Sequence, residues 1–355
     1  MPAAHPIEAM LPSLRSLISV CIGGLAMACS SEPSAPSRAS SNEGGGAGLA
    51  VGGARSGGSA GKADGEASAG SAGTADKADA ASGGAASGAT GGGGVPNATG
   101  CKRGLAYGHH SVADLQALSS GVSWWYNWDF QPDQAVRGAY LQAGVEYAPM
   151  IWGANTDRAA AKAAITSDAS VLLGFNEPNF GSQANLSAAD AAALWPELEA
   201  IADAKRLRLV SPAVNFCGGD CQDTDPFHYL DAFFAACQGC QVDAVAMHIY
   251  VGCSPSGDNK AAYLIQHVET YKTRFSQPLW LTEFACNDAK NADEQRAFLE
   301  DAVAYLEGEP RIERYAWFSG RASNVPYVDL LGDSGKLTAL GQAYVNAPRN
   351  SECMQ

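Results

Sequence analysis

Residues 171–177 read Val-Leu-Leu-Gly-Phe-Asn-Glu, and beyond Pro178 the chain passes into a helical pattern over 187–204. An apolar run with no polar alternation is a strand buried on both faces, as in a parallel sheet covered by helices. In the helical segment Leu194, Leu198 and Ile201 form one stripe behind a Ser187 cap, with Asp190 three residues on. Outward from this unit the same alternation recurs. Strands are expected at 103–108, 123–129, 146–153, 208–214, 244–251, 279–286 and 314–320, each followed by an Ala- and Leu-rich stretch of helical spacing. With 171–177 that makes eight strand–helix units in about 250 residues, the count of a (β/α)8 TIM barrel. An open doubly wound sheet fits less well, because the turn from Gly104 to Ser111 lacks the Gly-x-Gly-x-x-Gly cradle.

The first hundred residues have a different composition. All 7 Trp, 12 Tyr and 11 Phe lie beyond residue 100, while Gly, Ala and Ser fill 20, 18 and 11 of the positions between 31 and 100. Such a segment buries too little apolar surface to offset an ordering cost of about 1–2 kcal/mol per residue. Three parts are therefore expected: a signal peptide over 1–29, a disordered Gly/Ala/Ser-rich linker over 30–100, and a (β/α)8 catalytic domain over 101–355. Arg15 precedes an apolar stretch from Leu17 to Ala28 that is too short for a permanent membrane span and reads as an export signal. The run Leu25-Ala26-Met27-Ala28-Cys29-Ser30 resembles the bacterial lipobox, with Ala26 where leucine is usual. That resemblance implies lipidation of Cys29, with simple secretion as the alternative; both place the protein outside the cytoplasm. If Cys29 is lipidated, the linker becomes a tether of about 45–50 Å r.m.s. span.

Charge narrows the partners. Twenty-three Lys and Arg against 37 Asp and Glu give a net charge of −14, with no basic run to neutralise a phosphate backbone, so nucleic acid is excluded as a partner. A monomer is expected, touching a membrane only through its lipid. Apart from Cys21 and Cys29 there are eight cysteines, and in an oxidising compartment disulfides are the default. Cys253 and Cys286 follow adjacent strands by similar distances and are expected to pair. Cys101 with Cys353, Cys217 with Cys221, and Cys237 with Cys240 complete one possible set. The spacing Cys217-x3-Cys221 and Cys237-x2-Cys240 also leaves a four-thiolate zinc site open.

On a barrel of this kind chemistry sits at the C-terminal ends of the strands. Those ends carry His109 and His110, Asn127 and Trp128, Trp152, Asn176 and Glu177, His248 and Tyr250, Glu283, and Trp317. Glu177 and Glu283 end the fourth and seventh strands, which face one another across a closed barrel. Pro178 is expected to push Glu177 into an extended conformation. Two carboxyl groups facing across a pocket suit glycosidic cleavage, one as proton donor and the other as nucleophile or base. His248 and Tyr250, two apart on one strand, point the same way, and one of them is expected to hydrogen-bond Glu283. Trp128, Trp152 and Trp317 are expected to stack on sugar rings, with core packing as the alternative; His109 and His110 read as loop packing.

Asn176-Glu177-Pro178 and Thr282-Glu283-Phe284 resemble the acid/base and nucleophile strands of clan A glycoside hydrolases. More narrowly, Arg103-Gly104-Leu105-Ala106-Tyr107, Trp125-Tyr126-Asn127-Trp128, Gly174-Phe175-Asn176-Glu177-Pro178-Asn179, Arg314-Tyr315-Ala316-Trp317-Phe318 and the tail Leu337-Thr338-Ala339-Leu340-Gly341-Gln342-Ala343-Tyr344 resemble glycoside hydrolase family 128, the Asl1-like β-1,3-glucanases. Over about 103–345 the resemblance implies a (β/α)8 barrel and a retaining endo-hydrolase of β-1,3-glucan. It also implies Glu177 as general acid/base, Glu283 as nucleophile, and Asn176 on the sugar 2-hydroxyl. No cofactor and no metal is expected. The chain departs from the family pattern in its cysteines between 217 and 253, so the loops after strands five and six are not carried over. Two other readings remain: a clan A hydrolase of mannan, xylan or mixed-linkage glucan, and a catalytically silent, tethered carbohydrate-binding protein.

Overall fold

The computed structural model describes residues 101–349. The signal peptide, Cys29 with its lipidation, the linker and Cys353 lie outside the described residues.

Eight strands alternate with eight helices: β1 (Arg103–Ala106), α1 (Val112–Leu118), β2 (Trp124–Tyr126), α2 (Ala139–Gln142), β3 (Glu146–Tyr147), α3 (Arg158–Ala164), β4 (Val171–Leu173), α4 (Ala188–Lys205), β5 (Arg208–Val210), α5 (Pro226–Ala236), β6 (Val245–Val251), α6 (Ala262–Arg274), β7 (Leu279–Cys286), α7 (Ala292–Gly308), β8 (Ile312–Trp317) and α8 (Ala339–Asn346). All eight expected strands are present, several of them shortened. Pro149 and Pro212 cut the expected runs at 146–153 and 208–214, because a residue without an N–H cannot extend a ladder. The Ser187 hydroxyl accepts the Asp190 N–H and caps α4, whose Leu198 and Ile201 are buried.

Every ladder pairing is parallel. Six strands form one sheet in the order β3-β2-β1-β8-β7-β6, and β4 pairs with β5. Single parallel bridges link these two sheets, Met150 to Leu173 on one side and both Val210 to Ala244 and Val214 to Met247 on the other.

One face of the strands packs against helices. Trp125 meets Tyr140 of α2, and Trp317 meets Phe298 of α7 and Tyr344 of α8. The other face carries Trp124 and Trp280, whose rings lie 5.2 Å apart under the Arg314 guanidinium. Gly104 must be glycine, since a Cβ there would fall 2.3 Å from the Trp124 indole. Beside it Arg103, 1% exposed, donates to the Tyr315 hydroxyl, the Glu307 carboxylate and the carbonyls of Tyr344, Ala347 and Pro348. It thereby fastens β1 to β8, α7 and the segment after α8.

Disulfides join Cys217 to Cys221, Cys237 to Cys240, and Cys253 to Cys286. The four-thiolate zinc site is thus overturned: its sulfurs are oxidised in two separate pairs and cannot act as thiolates. Cys101 is also disulfide-bonded.

Candidate active site

Glu177 lies four residues past the end of β4. Its N–H donates to the Ala213 carbonyl at 2.8 Å, and its own carbonyl accepts from Phe180 N–H at 2.9 Å. The expectation of an extended backbone is wrong here. Glu177 has φ +37°, in the left-handed region, because the tight turn to Phe180 overrides the preference imposed by Pro178. Such a conformation costs a non-glycine residue about 1–3 kcal/mol and persists only where surrounding bonds fix it.

Glu283 owes its position to an irregularity. Strict alternation along β7 would put Trp280, Thr282 and Phe284 on one face. Instead Met247 pairs with Leu281 and His248 with Glu283, so Thr282 is an extra residue and the alternation changes phase. Glu283 then shares the Trp280 face, while Phe284 turns to the helices beside Phe298 and Trp317.

The two carboxylates meet around His248. Its Nδ1 lies 3.0 Å from Glu177 Oε1 and 3.5 Å from Glu283 Oε2, and the donor atoms of all three side chains fall within 4.8 Å of one another. Glu177 and Glu283 are 4% and 3% exposed, so their interaction is little screened by water. Glu283 accepts three further hydrogen bonds: Trp128 Nε1 at 2.8 Å and the Tyr126 hydroxyl at 3.0 Å on Oε1, and the Tyr250 hydroxyl at 2.6 Å on Oε2.

Burial, reinforced by the charge of Glu177, raises the Glu283 carboxyl above the ordinary carboxylate range, while His248, Tyr250 and Trp128 draw it back. Burial alone would depress His248, but Glu283 and Glu177 outweigh it and hold the imidazole above its usual value. Tyr126 and Tyr250 are pushed well above 10 by burial and then by Glu283, so both stay protonated and donate. Glu177, His248 and Glu283 also form a donor set that could hold a cation. A cation there would occupy the lone pairs that an attack on carbon requires.

The other expected site residues divide. Asn176 is buried beside the Trp152 carbonyl, which accepts its N–H, and its side-chain amide meets Gln183 at 3.2 Å. Trp152 is half-buried next to it. Trp128, at φ +60°, reaches the site with its indole N–H, and its ring contacts Tyr126 and Phe318.

One expectation fails. Trp317 is fully buried against Phe284, Phe298 and Tyr344, its N–H on the Val328 carbonyl, so no sugar can stack on it. It shares a face with Tyr315, and the aromatic that meets Trp128 and Tyr250 is the next residue, Phe318. Asn127 holds the following loop: its amide donates to the Gln131 carbonyl and Asp133, and its oxygen accepts from Tyr147 and Asp129 N–H.

His110 is buried between the rings of Tyr107 and Trp125, and burial pushes it down to about 3, so it is neutral packing. Sequence reasoning missed Tyr126. The signal was available, since Tyr126 stands two residues before Trp128 and two after Trp124 on an alternating strand.

Residues 104–344 match the family model described as glycosyl hydrolase catalytic core. Among solved structures, a GH128 subgroup II endo-β-1,3-glucanase from Sorangium cellulosum is 64% identical, over 71% of this chain and 100% of that one, with a TM-score of 0.69. A subgroup I endo-β-1,3-glucanase from Amycolatopsis mediterranei, in complex with laminaritriose, is 33% identical over 69% and 98% of the two chains, with a TM-score of 0.56. Alkali-sensitive linkage protein 1 of Schizosaccharomyces pombe is 29% identical over 262 residues, which is 69% of this chain and 44% of that protein, so the match spans less than half of that relative. By fold, by sequence and by the extent of these matches, the chain is a glycoside hydrolase belonging to family 128.

Proposed function

We propose that the chain is a retaining endo-hydrolase of β-1,3-glucan, with Glu283 as nucleophile and Glu177 as general acid/base. The observation that carries this reading is the approach of two buried carboxylates to within 4.8 Å, with one of them held by three neutral donors. A gap of about 5–5.5 Å suits direct attack on the sugar, whereas inversion needs about 6.5–9.5 Å to admit a water.

In the first step a Glu283 oxygen bonds to the anomeric carbon as the glycosidic C–O bond breaks, and Glu177 gives its proton to the departing oxygen. In the second, Glu177 takes a proton from water, whose oxygen replaces Glu283 on the anomeric carbon. Two inversions give net retention. Tyr126, Trp128 and Tyr250 hold the Glu283 oxygens in place, and they compensate the carboxylate again when the sugar ester breaks. Asn176 stands next to Glu177, where its amide can meet a sugar hydroxyl; Trp128, Trp152 and Phe318 supply apolar surface.

The choice of polymer follows the two family 128 endo-β-1,3-glucanases above, one of them bound to laminaritriose. The proposal includes joining of the two parallel sheets, through their bridges at Met150, Val210 and Val214, into a (β/α)8 barrel that sets β4 opposite β7. It also includes export by residues 1–29 and a linker over 30–100, tethered where Cys29 is lipidated.

Release of reducing ends from laminarin, curdlan, mannan and xylan by the wild type, Glu177→Gln and Glu283→Gln tests the reading. Cleavage of the two β-1,3-glucans only, lost in both variants, is expected. Binding without cleavage would favour a silent carbohydrate-binding protein, and cleavage of mannan or xylan alone would overturn the substrate.

A further inference from the structure

The loop after β4 carries Glu177 in a left-handed backbone, and beside the bonds within its own segment it is held by a second set that comes from another loop. Asn179, fully buried, sends its amide to the carbonyls of Asn215 at 2.7 Å and Asp223 at 3.1 Å, and its own carbonyl accepts Gln222 N–H at 2.8 Å. Gly181 N–H donates to the Asp220 carbonyl at 2.8 Å, Phe180 bridges to Cys221 in antiparallel fashion, and the Gln222 amide reaches Asn185. Gly181 approaches so closely that a Cβ would lie 2.5 Å from the Asp220 carboxylate.

All of these partners belong to one exposed excursion after β5, residues 215–224. That excursion has no helix or strand to stiffen it. It is closed by the Cys217–Cys221 disulfide and by Cys217 N–H on the Thr224 carbonyl. An open loop of exposed Gly218, Gly219 and Asp220 would sample many conformations, and the carbonyls that receive Asn179 would move with it.

We infer that the Cys217–Cys221 loop is a positioning clamp for the acid/base: it holds Asn179, and through the turn 177–180 it fixes where the Glu177 carboxyl meets the leaving oxygen. The inference rests on the acid/base role assigned to Glu177 above. The Cys237–Cys240 disulfide provides an internal control, since it lies between α5 and β6, at the opposite end of the strands from the site.

Two readouts separate this clamp from general stabilisation. The first needs no substrate: hydrogen exchange of the peptide spanning 177–186, compared among the wild type, Cys217→Ser/Cys221→Ser and Cys237→Ser/Cys240→Ser. Faster exchange in the first variant alone is expected; equal exchange in all three overturns the clamp.

The second compares laminarin, whose leaving group needs a proton, with 2,4-dinitrophenyl β-laminaribioside, whose leaving group departs as a stable anion. Misplacement of an acid by about 1 Å costs on the order of a hundredfold. Loss of Cys217–Cys221 should therefore lower kcat/KM on laminarin by about tenfold to a hundredfold, while kcat/KM on the activated substrate, which reports only the first step and needs no proton there, stays near the wild-type value. Asn179→Ala should give the same pattern in whatever fraction folds. Equal losses of kcat/KM on both substrates, or equal losses in both disulfide variants, would overturn the inference. A wild type that hydrolyses neither substrate would overturn the β-1,3-glucanase reading and the acid/base role with it, while the exchange result would still report whether the loop holds the 177–186 segment.

Discussion

Replacing Tyr250 with Phe removes one hydroxyl and tests whether the donors around Glu283 set its charge. The hydroxyl donates to Glu283 Oε2 at 2.6 Å, where the carboxylate is 3% exposed and water is a poor substitute. A hydrogen bond to a charged group contributes about 1.5–3 kcal/mol, which at about 1.4 kcal/mol per pKa unit corresponds to about one to two units. The sign follows from which form is stabilised. Burial and Glu177 already raise the Glu283 carboxyl, and the Tyr250 bond lowers it. Removing the bond therefore raises it further, and a larger fraction of the nucleophile is protonated at any acidic pH. The assay is the pH profile of kcat/KM on laminarin. The acid limb of Tyr250→Phe should move to higher pH by about one to two units, with the alkaline limb unmoved. An acid limb that stays in place, or moves to lower pH, would refute the reasoning.

Further outcomes follow from the same geometry. Trp317→Ala should destabilise the fold by about 3–5 kcal/mol through the cavity left among Phe284, Phe298 and Tyr344, read as a lower midpoint in urea. Phe318→Ala, next along the chain, should instead raise KM for laminarin, because its ring faces Trp128 and Tyr250. Arg103→Ala should cost about 3–5 kcal/mol by removing the buried Arg103 donor from Glu307 and from the carbonyls of Tyr344, Ala347 and Pro348, a loss that thermal unfolding would register. Dialysis against a chelator should leave laminarin hydrolysis unchanged; a loss restored by added zinc would contradict the two-carboxylate mechanism.

The strand–helix alternation was legible because buried strands such as 171–177 and 279–286 are apolar on both faces, and because Pro149 and Pro212 shorten strands without removing them. Glu177 and Glu283 were legible for the same reason, as charged residues ending apolar runs. What depends on local phase was hidden. The extra residue at Thr282 turns Glu283 to the site face, and no feature of the sequence marks it. The same limit applies to Trp317 and Phe318, adjacent aromatics of which only one can face the site. That Gln131, Asp133 and Tyr147 engage the Asn127 amide is likewise a matter of loop geometry that the sequence does not show. Tyr126 was overlooked as one of three consecutive aromatics. The Glu177 backbone was misjudged because bonds from Ala213 and Phe180 outweigh a dipeptide preference.

The division of labour between the two acids can be read directly by trapping. Incubation with 2-deoxy-2-fluoro-β-laminaribiosyl fluoride slows both steps but the second more, so a nucleophile remains esterified and can be located by mass spectrometry of a protease digest. The account predicts one adduct per chain, on the peptide containing Thr282-Glu283-Phe284 and at Glu283. An adduct on Glu177 would contradict it, as would inactivation without any adduct.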